Sequence, residues 1–243
     1  MPAPRQFLAA VLGLAAAAGC IRLGRWQLER LQFRRDLNGL VISRLSAPPR
    51  SPFGLPPSTR RWRRVIVVGT FDFDHQIVLT GRSLEGAPGV NVITPFAPDI
   101  PAAPILVNRG WVYAPDGQTV QLGKHDEPAH QTISGYADDF VFVGDGAARA
   151  ASTPNAWRRL DGRELEHAFP YPIAPFYLVA QADSGGAPAP GAPVRLPLPS
   201  LDEGPHRGYA IQWFAFALIA LGGASVVIYK ERHQAAKTRT GKP

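Results

Sequence analysis

Hydrophobic and polar positions fall into three regimes along the chain. Near the C-terminal end, Ile211 to Tyr229 is an apolar run with a single amide, Gln212, one turn inside it. As a helix it spans roughly 28 Å at about 1.5 Å per residue, close to the hydrocarbon thickness of a bilayer. No polar stripe of the kind carried by a soluble surface helix interrupts it. The run therefore predicts a transmembrane helix. His206, Tyr209, Trp213, Phe216 and Ala217 recur at spacings of three and four, which groups them on one helical face. Tyr209 and Trp213 fall where an aromatic belt meets the headgroups, with His206 just outside the apolar slab.

The N-terminal pattern is less clean. The apolar run from Phe7 to Ile21 is short for a span, but it extends through Leu23 to Trp26 and Leu28 if Arg22 snorkels. Arg5, the Ala-rich core and the small residues that follow also fit a cleaved signal peptide, and Ala17-Ala18-Gly19-Cys20 fits a lipoprotein signal. Beyond it, Arg22, Arg25, Arg30, Arg34, Arg35 and Arg44 alternate with Leu23, Trp26, Leu31 and Phe33. Trp26, Arg30 and Arg34 share a face at i, i+4, i+8, as in a basic amphipathic extension lying on headgroups or clamping an anionic ligand.

The middle of the chain changes period. Short β-branched and aromatic runs, bounded by Gly, Pro and Asp, predict strands over Arg64–Phe71, Gln76–Thr80, Val90–Pro95, Ile105–Tyr113, Thr132–Tyr136 and Phe176–Ala180. A helical pattern covers Ala156–Phe169. Pro-rich stretches at 46–59 and 184–199 bracket this region as linkers. The reading is a membrane protein of α+β class, with two transmembrane helices flanking a mainly antiparallel β extracytoplasmic domain, sheet or barrel, with one minor helix. Its boundaries are a transmembrane helix over 1–28, a basic extension and linker over 29–59 and the β-rich domain over 60–183. A second linker follows over 184–207, then the closing helix over 208–230 and a basic tail over 231–243.

Composition narrows the chemistry. Lys and Arg number 26 against 19 Asp and Glu, in a chain of 243 residues. The excess sits beside the apolar segments, where topology and anionic headgroups account for it without nucleic acid. After the last span Lys230, Arg232, Lys237, Arg239 and Lys242 face only Glu231, which predicts a cytoplasmic C-terminus. Two spans then place the N-terminus in the cytoplasm and the middle domain outside. The lone Cys20 excludes an internal disulfide, a thiolate metal cluster and a covalent C-x-x-C-H haem site.

Nucleophile-elbow, P-loop, dinucleotide and zincin motifs are all missing, so no enzyme is expected. Asp72, Asp74 and His75 offer metal-ligand chemistry at a strand end, although alternate residues there more often form a turn. His125, Asp126, Glu127 and His130 read as a loop, since Pro128 breaks any helix that would align them. Asn108-Arg109-Gly110-Trp111 reads as a bulge or hairpin edge, with alternation placing Arg109 and Trp111 on one face. His206 remains, as an interfacial anchor or as an axial ligand for haem iron. Tyr209, Trp213 and Trp26 are the types that pack a porphyrin ring, and Arg30 and Arg34 the types that meet its propionates.

Several motifs in order resemble a known family. Leu23-Gly24-Arg25-Trp26-Gln27 with Arg30, and Arg64-Val65 through Gly69-Thr70-Phe71-Asp72, are similar to segments of the surfeit-locus protein one family, the cytochrome c oxidase assembly factors. So are Val107-Asn108-Arg109-Gly110-Trp111-Val112 and His206-x-x-Tyr209-Ala210-x-Gln212-Trp213-Phe214. The resemblance implies an uncleaved first helix, a periplasmic middle domain, and non-covalent, transient binding of haem a during delivery to the catalytic subunit of a haem-copper oxidase. It implies His206 as the iron ligand, partners among other oxidase assembly factors, and, with the Ala/Arg/Pro-rich composition, a bacterial inner membrane. Pro205 departs from the family, which often has Asn before that histidine. A scaffold for oxidase subunits that binds no haem is the alternative; it expects function to depend on Asn108–Trp111 rather than His206. An extracytoplasmic enzyme built on Asp72–His75 or His125–His130 is a third.

Overall fold

The computed structural model describes residues 4–150, 154–182 and 190–240. The chain divides into two compact units, Met1–Leu40 with Ser200–Pro243, and Val41–Pro199. Helix α1 runs unbroken over Pro4–Ser46, well past the predicted end at residue 28, and α4 runs over His206–Thr240. Both contain segments long and apolar enough to cross a membrane. Only 17% and 6% of their most apolar windows are buried, unlike the core helix of a soluble protein.

Within the helical unit the two helices run antiparallel and meet through small residues. A methyl placed on Gly13 would lie 2.5 Å from Ala224 Cβ, and one on Gly24 would lie 2.8 Å from the Phe214 ring. Ala17, Gly24, Leu31 and Asn38 are buried at a seven-residue spacing, opposite buried Ala210 and Ala217. Lipid tails compete with apolar side chains but not with close backbone approach, so small residues select the contact face. Trp213 and Phe214 are half-buried there, while Tyr209 and Phe216 are exposed. The aromatic face expected from spacing is thus split by the packing.

The second unit is a mixed sheet. After the short helix α2, Pro57–Arg60, come strands β1 (Arg64–Phe71), β2 (Ile77–Leu84), β3 (Ala87–Pro98), β4 (Ile105–Tyr113) and β5 (His130–Asp138). Strand β6 (Ala156–Trp157), helix α3 (Gly162–Leu165) and strand β7 (Tyr177–Ala180) complete it. Their order is β1-β5-β7-β4-β3-β2-β6, and a further β1–β3 pairing closes five strands into a ring. All pairs are antiparallel except β4–β7 and β2–β6. Gly69 permits the closure, because a Cβ there would sit 2.1 Å from Ala97 O. Strand β1 alternates exposed and buried positions, while β3 and β4 are buried on both faces along most of their length. Val65, Val67, Phe96, Ile105, Val107 and Leu178 form part of the core inside the ring.

Two expectations change. The Pro-rich stretches belong to the β unit: Arg50 exchanges backbone hydrogen bonds with Arg64 and Ile66, and Val194 does so with Trp111. Phe53 and Leu55 also pack against the core, and the unit runs from 41 to 199 rather than 60 to 183. These straps bond through backbone groups, which leave no side-chain period. Residues 184–189 of the second stretch lie outside the described residues. The helical pattern over Ala156–Phe169 yields only α3, because Ala156 and Trp157 pair with Val78 and Leu79 of β2. Asp161 then begins a new segment, capping Arg163 N and accepting from Val143 N and Gly144 N.

Candidate functional site

His206 opens α4. Pro205 precedes it, and its carbonyl accepts from Tyr209 N at 3.1 Å, so proline serves as the helix-capping residue without disturbing the first turn. The half-buried imidazole is held by a residue of the other helix: His206 Nδ1 lies 2.8 Å from Gln27 Oε1. An amide oxygen only accepts, so Nδ1 is the donor in this contact, and in the neutral ring the lone pair is then on Nε2. Gly204, at φ +73°, lies beside that nitrogen, and a Cβ in its place would come within 3.5 Å of Nε2. The ring is therefore oriented through one nitrogen and left open at the other. A metal-ligating histidine is commonly fixed in this way.

Polar contacts hold the same region together. Arg34 donates to Asp202 O at 2.9 Å, and Asn38 to Leu201 O at 2.6 Å. Arg35 forms a two-pronged pair with Glu203 at 2.9 and 3.0 Å. The turn leading into α4 is thereby pinned to α1 two to three helical turns beyond Gln27.

Of the residues predicted to serve one site, the structure joins some and separates others. His206 meets Gln27, which spacing alone did not single out although it ends the Leu23–Gln27 motif. Arg34 is committed in part to Asp202. Trp213 packs edge-on against Phe216, with ring centroids 5.9 Å apart. Trp26 is half exposed, and Arg30 lies 5.5 Å over the Phe33 ring on its own helix. Neither has a hydrogen bond or ring contact with α4 among the described residues. Trp26 instead lines an open groove of about 780 Å3 on α1, with Ala18, Ile21, Arg22, Arg25 and Glu29. His206 is not in that lining.

The β unit uses its motif residues for architecture. Between Val92 and Ile93 the β3–β4 register skips Arg109, so a bulge interrupts the simple alternation. The bulge turns the Arg109 guanidinium inward, where it is fully buried. It bonds Glu127 at 2.9 Å and Gln76 at 2.9 Å, reaches His125 O, and lies 5.2 and 5.1 Å from the Phe71 and Phe73 rings. Arg195 approaches Glu127 from the other side, at 2.5 Å. Burial pulls the Arg109 pKa down, and Glu127 opposes that shift. Gly110, at φ +129°, leaves room for Val194 O, which a Cβ would approach to 2.2 Å.

The other candidate ligands are similarly occupied. Asp72 takes hydrogen bonds from Asp74 N, His75 Nδ1 and the Tyr171 hydroxyl, closing a tight turn. Burial raises its pKa, but the bonds from Tyr171 and His75 outweigh burial and leave it below the usual range. Asp126 meets Gln76, and His130 meets Asp99 at 3.0 Å. Asp145, Asp161 and Glu164 converge, with Arg159 among them as counter-charge.

Two antiparallel membrane-length helices joined through small residues, with an oriented interfacial histidine and a sheet unit inserted between them in sequence, define a two-helix membrane protein of α+β class. The model of the SURF1 family matches residues 14–218, and the chain belongs to that family. Gln27, the Arg109 network and His206 all fall inside the match. An uncharacterised SURF1-like protein of Mycobacterium tuberculosis is 27% identical over 240 residues, covering 91% of this chain and 82% of its own. Surfeit locus protein 1 of Gallus gallus is 35% identical over 108 residues, or 37% of this chain and 35% of that protein. The cytochrome oxidase assembly protein SHY1 of Saccharomyces cerevisiae is 30% identical over 123 residues, or 45% and 31%.

Proposed function

We propose that the protein is a non-enzymatic assembly factor for haem-copper (cytochrome c) oxidase that holds haem a as cargo for the catalytic subunit. The name of the yeast relative supports the assembly role. The observation that carries the cargo is the Gln27–His206 contact, 2.8 Å long, which leaves Nε2 as a free imidazole donor beside a residue without a side chain. Neutral imidazole is a good axial ligand for haem iron. Tyr209, Trp213 and Trp26 would pack the ring edge, and the free N–H groups of Arg30 and Arg34 would meet the propionates. We place the protein in a bacterial inner membrane with both termini cytoplasmic and the β unit periplasmic, on the basic residues that follow the apolar run Ile211–Tyr229.

The test is the absorption spectrum of the protein purified from cells that make haem a. The wild type should carry a haem a band and His206→Ala should lose it; normal haem content in that variant sinks the assignment. The scaffold reading rested on Asn108–Trp111. Asn108, Arg109 and Trp111 are buried, so changes there act through folding and do not favour a docking role.

A further inference from the structure

The outer face of the β1–β5–β7 sheet carries a cavity that the haem reading does not use. It holds about 190 Å3 and is walled by Leu45, Arg64, Ser134, Tyr136, Gln181 and Leu198. Register explains the convergence. Arg64 pairs with Tyr136 across β1 and β5, and Gln181 N donates to Ser134 O, so these side chains rise from one face. Leu45, from the last turn of α1, and Leu198, from the strap after β7, add apolar walls.

The polar groups at this face are unspent. Tyr136 is 7% exposed, yet its hydroxyl has no hydrogen-bond partner among the described residues. Burial, helped by repulsion from Asp138, pushes its pKa up to about 12, so it remains a neutral donor. The Arg64 guanidinium and the Ser134 hydroxyl also lack partners among the described residues. Asp138 does not neutralise Arg64, because it is paired with Arg61 at 2.8 Å and the Tyr177 hydroxyl at 3.0 Å. Gln181 spends its amide N–H groups on Ala180 O and Leu196 O. A cation and two hydroxyls thus line one small space, and the acceptor they match is an oxyanion. The leucines match an aliphatic stem. At ~30 Å3 per small-molecule centre the space takes about six non-hydrogen atoms.

We propose that this cavity binds a small aliphatic carboxylate, with its oxyanion on Arg64 and Tyr136 and its stem against Leu45 and Leu198. The probe is butanoate, titrated calorimetrically into the full chain in detergent, with butan-1-ol and inorganic phosphate as comparison ligands. Butanoate should bind saturably with an affinity of order millimolar. Arg64→Gln and Tyr136→Phe should each weaken it about tenfold, as expected for loss of a charge-assisted hydrogen bond. Butan-1-ol should not compete, and phosphate should bind about tenfold more weakly. Absence of saturable binding, equal binding of butan-1-ol or phosphate, or unchanged affinity in both variants overturns the proposal. The ligand comparisons use the native chain and decide the matter even if a variant fails to fold.

Discussion

A single amide oxygen fixes what His206 has to offer, and single carboxylates do the same work in the β unit. Glu127 lies between Arg109 and Arg195, with its side chain 5% exposed and that of Arg109 at 0%. Removing the negative charge strands a buried guanidinium, a loss that costs about 3 kcal/mol or more. Glu127→Gln should therefore lower the unfolding free energy of the β unit, read from its denaturant curve, by that amount, whereas exposed Glu85→Gln should leave it unchanged. Asp161 makes the complementary case against pH. Its carboxylate accepts from Gly144 N, and that bond, more than burial opposes it, holds the pKa below the ordinary value; Val143 N, Arg163 N and Arg159 assist. A depressed native pKa gives stability that is complete above the unfolded value, about 3.9, and is lost as pH falls through the native value beneath it. The melting temperature of the wild type should fall on that acid limb, and Asp161→Asn should start lower and flatten it. An equally steep limb in the variant would rule out Asp161 as the source.

At the scale of elements, legibility followed period. Strands β1 and β4 are plain in the sequence because Arg64–Phe71 and Ile105–Tyr113 are rich in β-branched, aliphatic and aromatic residues. The closing helix is equally plain from length alone, whereas the first is less so, because its apolar run from Phe7 to Ile21 is short for a span. What spacing did not reveal was the contact face, since the sequence shows aromatics at helical intervals while the packing selects Gly13, Ala17 and Gly24. The Arg109–Glu127–Arg195 cluster and the Gln27–His206 pair join residues far apart in the chain, beyond any local pattern. The straps at Arg50 and Val194 bond through backbone and so resemble free linkers. The helix pair makes a direct test. Gly13→Ala places a methyl 2.5 Å from Ala224 Cβ, a distance that forces the helices apart. It should lower the melting temperature in detergent, and Ala224→Gly in the same chain should recover most of the loss. Failure of the second change to rescue the first would show that this contact does not govern the pairing.

For the whole molecule, the division of labour is between a helical unit that bears His206 and a sheet unit whose buried ion pairs close within itself. The β unit has its own apolar core inside a closed ring, and its buried charges find their partners between residues 41 and 199. Nothing in that accounting draws on lipid. A chain limited to Val41–Pro199 should therefore unfold cooperatively without detergent and keep the Arg109–Glu127 dependence. It should also carry no haem a when made in cells that supply it, because His206 and Gln27 both lie outside it. The full chain under the same conditions should carry haem. If the fragment took up haem a as well as the full chain does, the cargo site would have to move from the helices to the sheet. The contact between Gln27 and His206 would then be left with the simpler task of joining two membrane helices. Haem content of the two proteins, measured side by side, separates these outcomes.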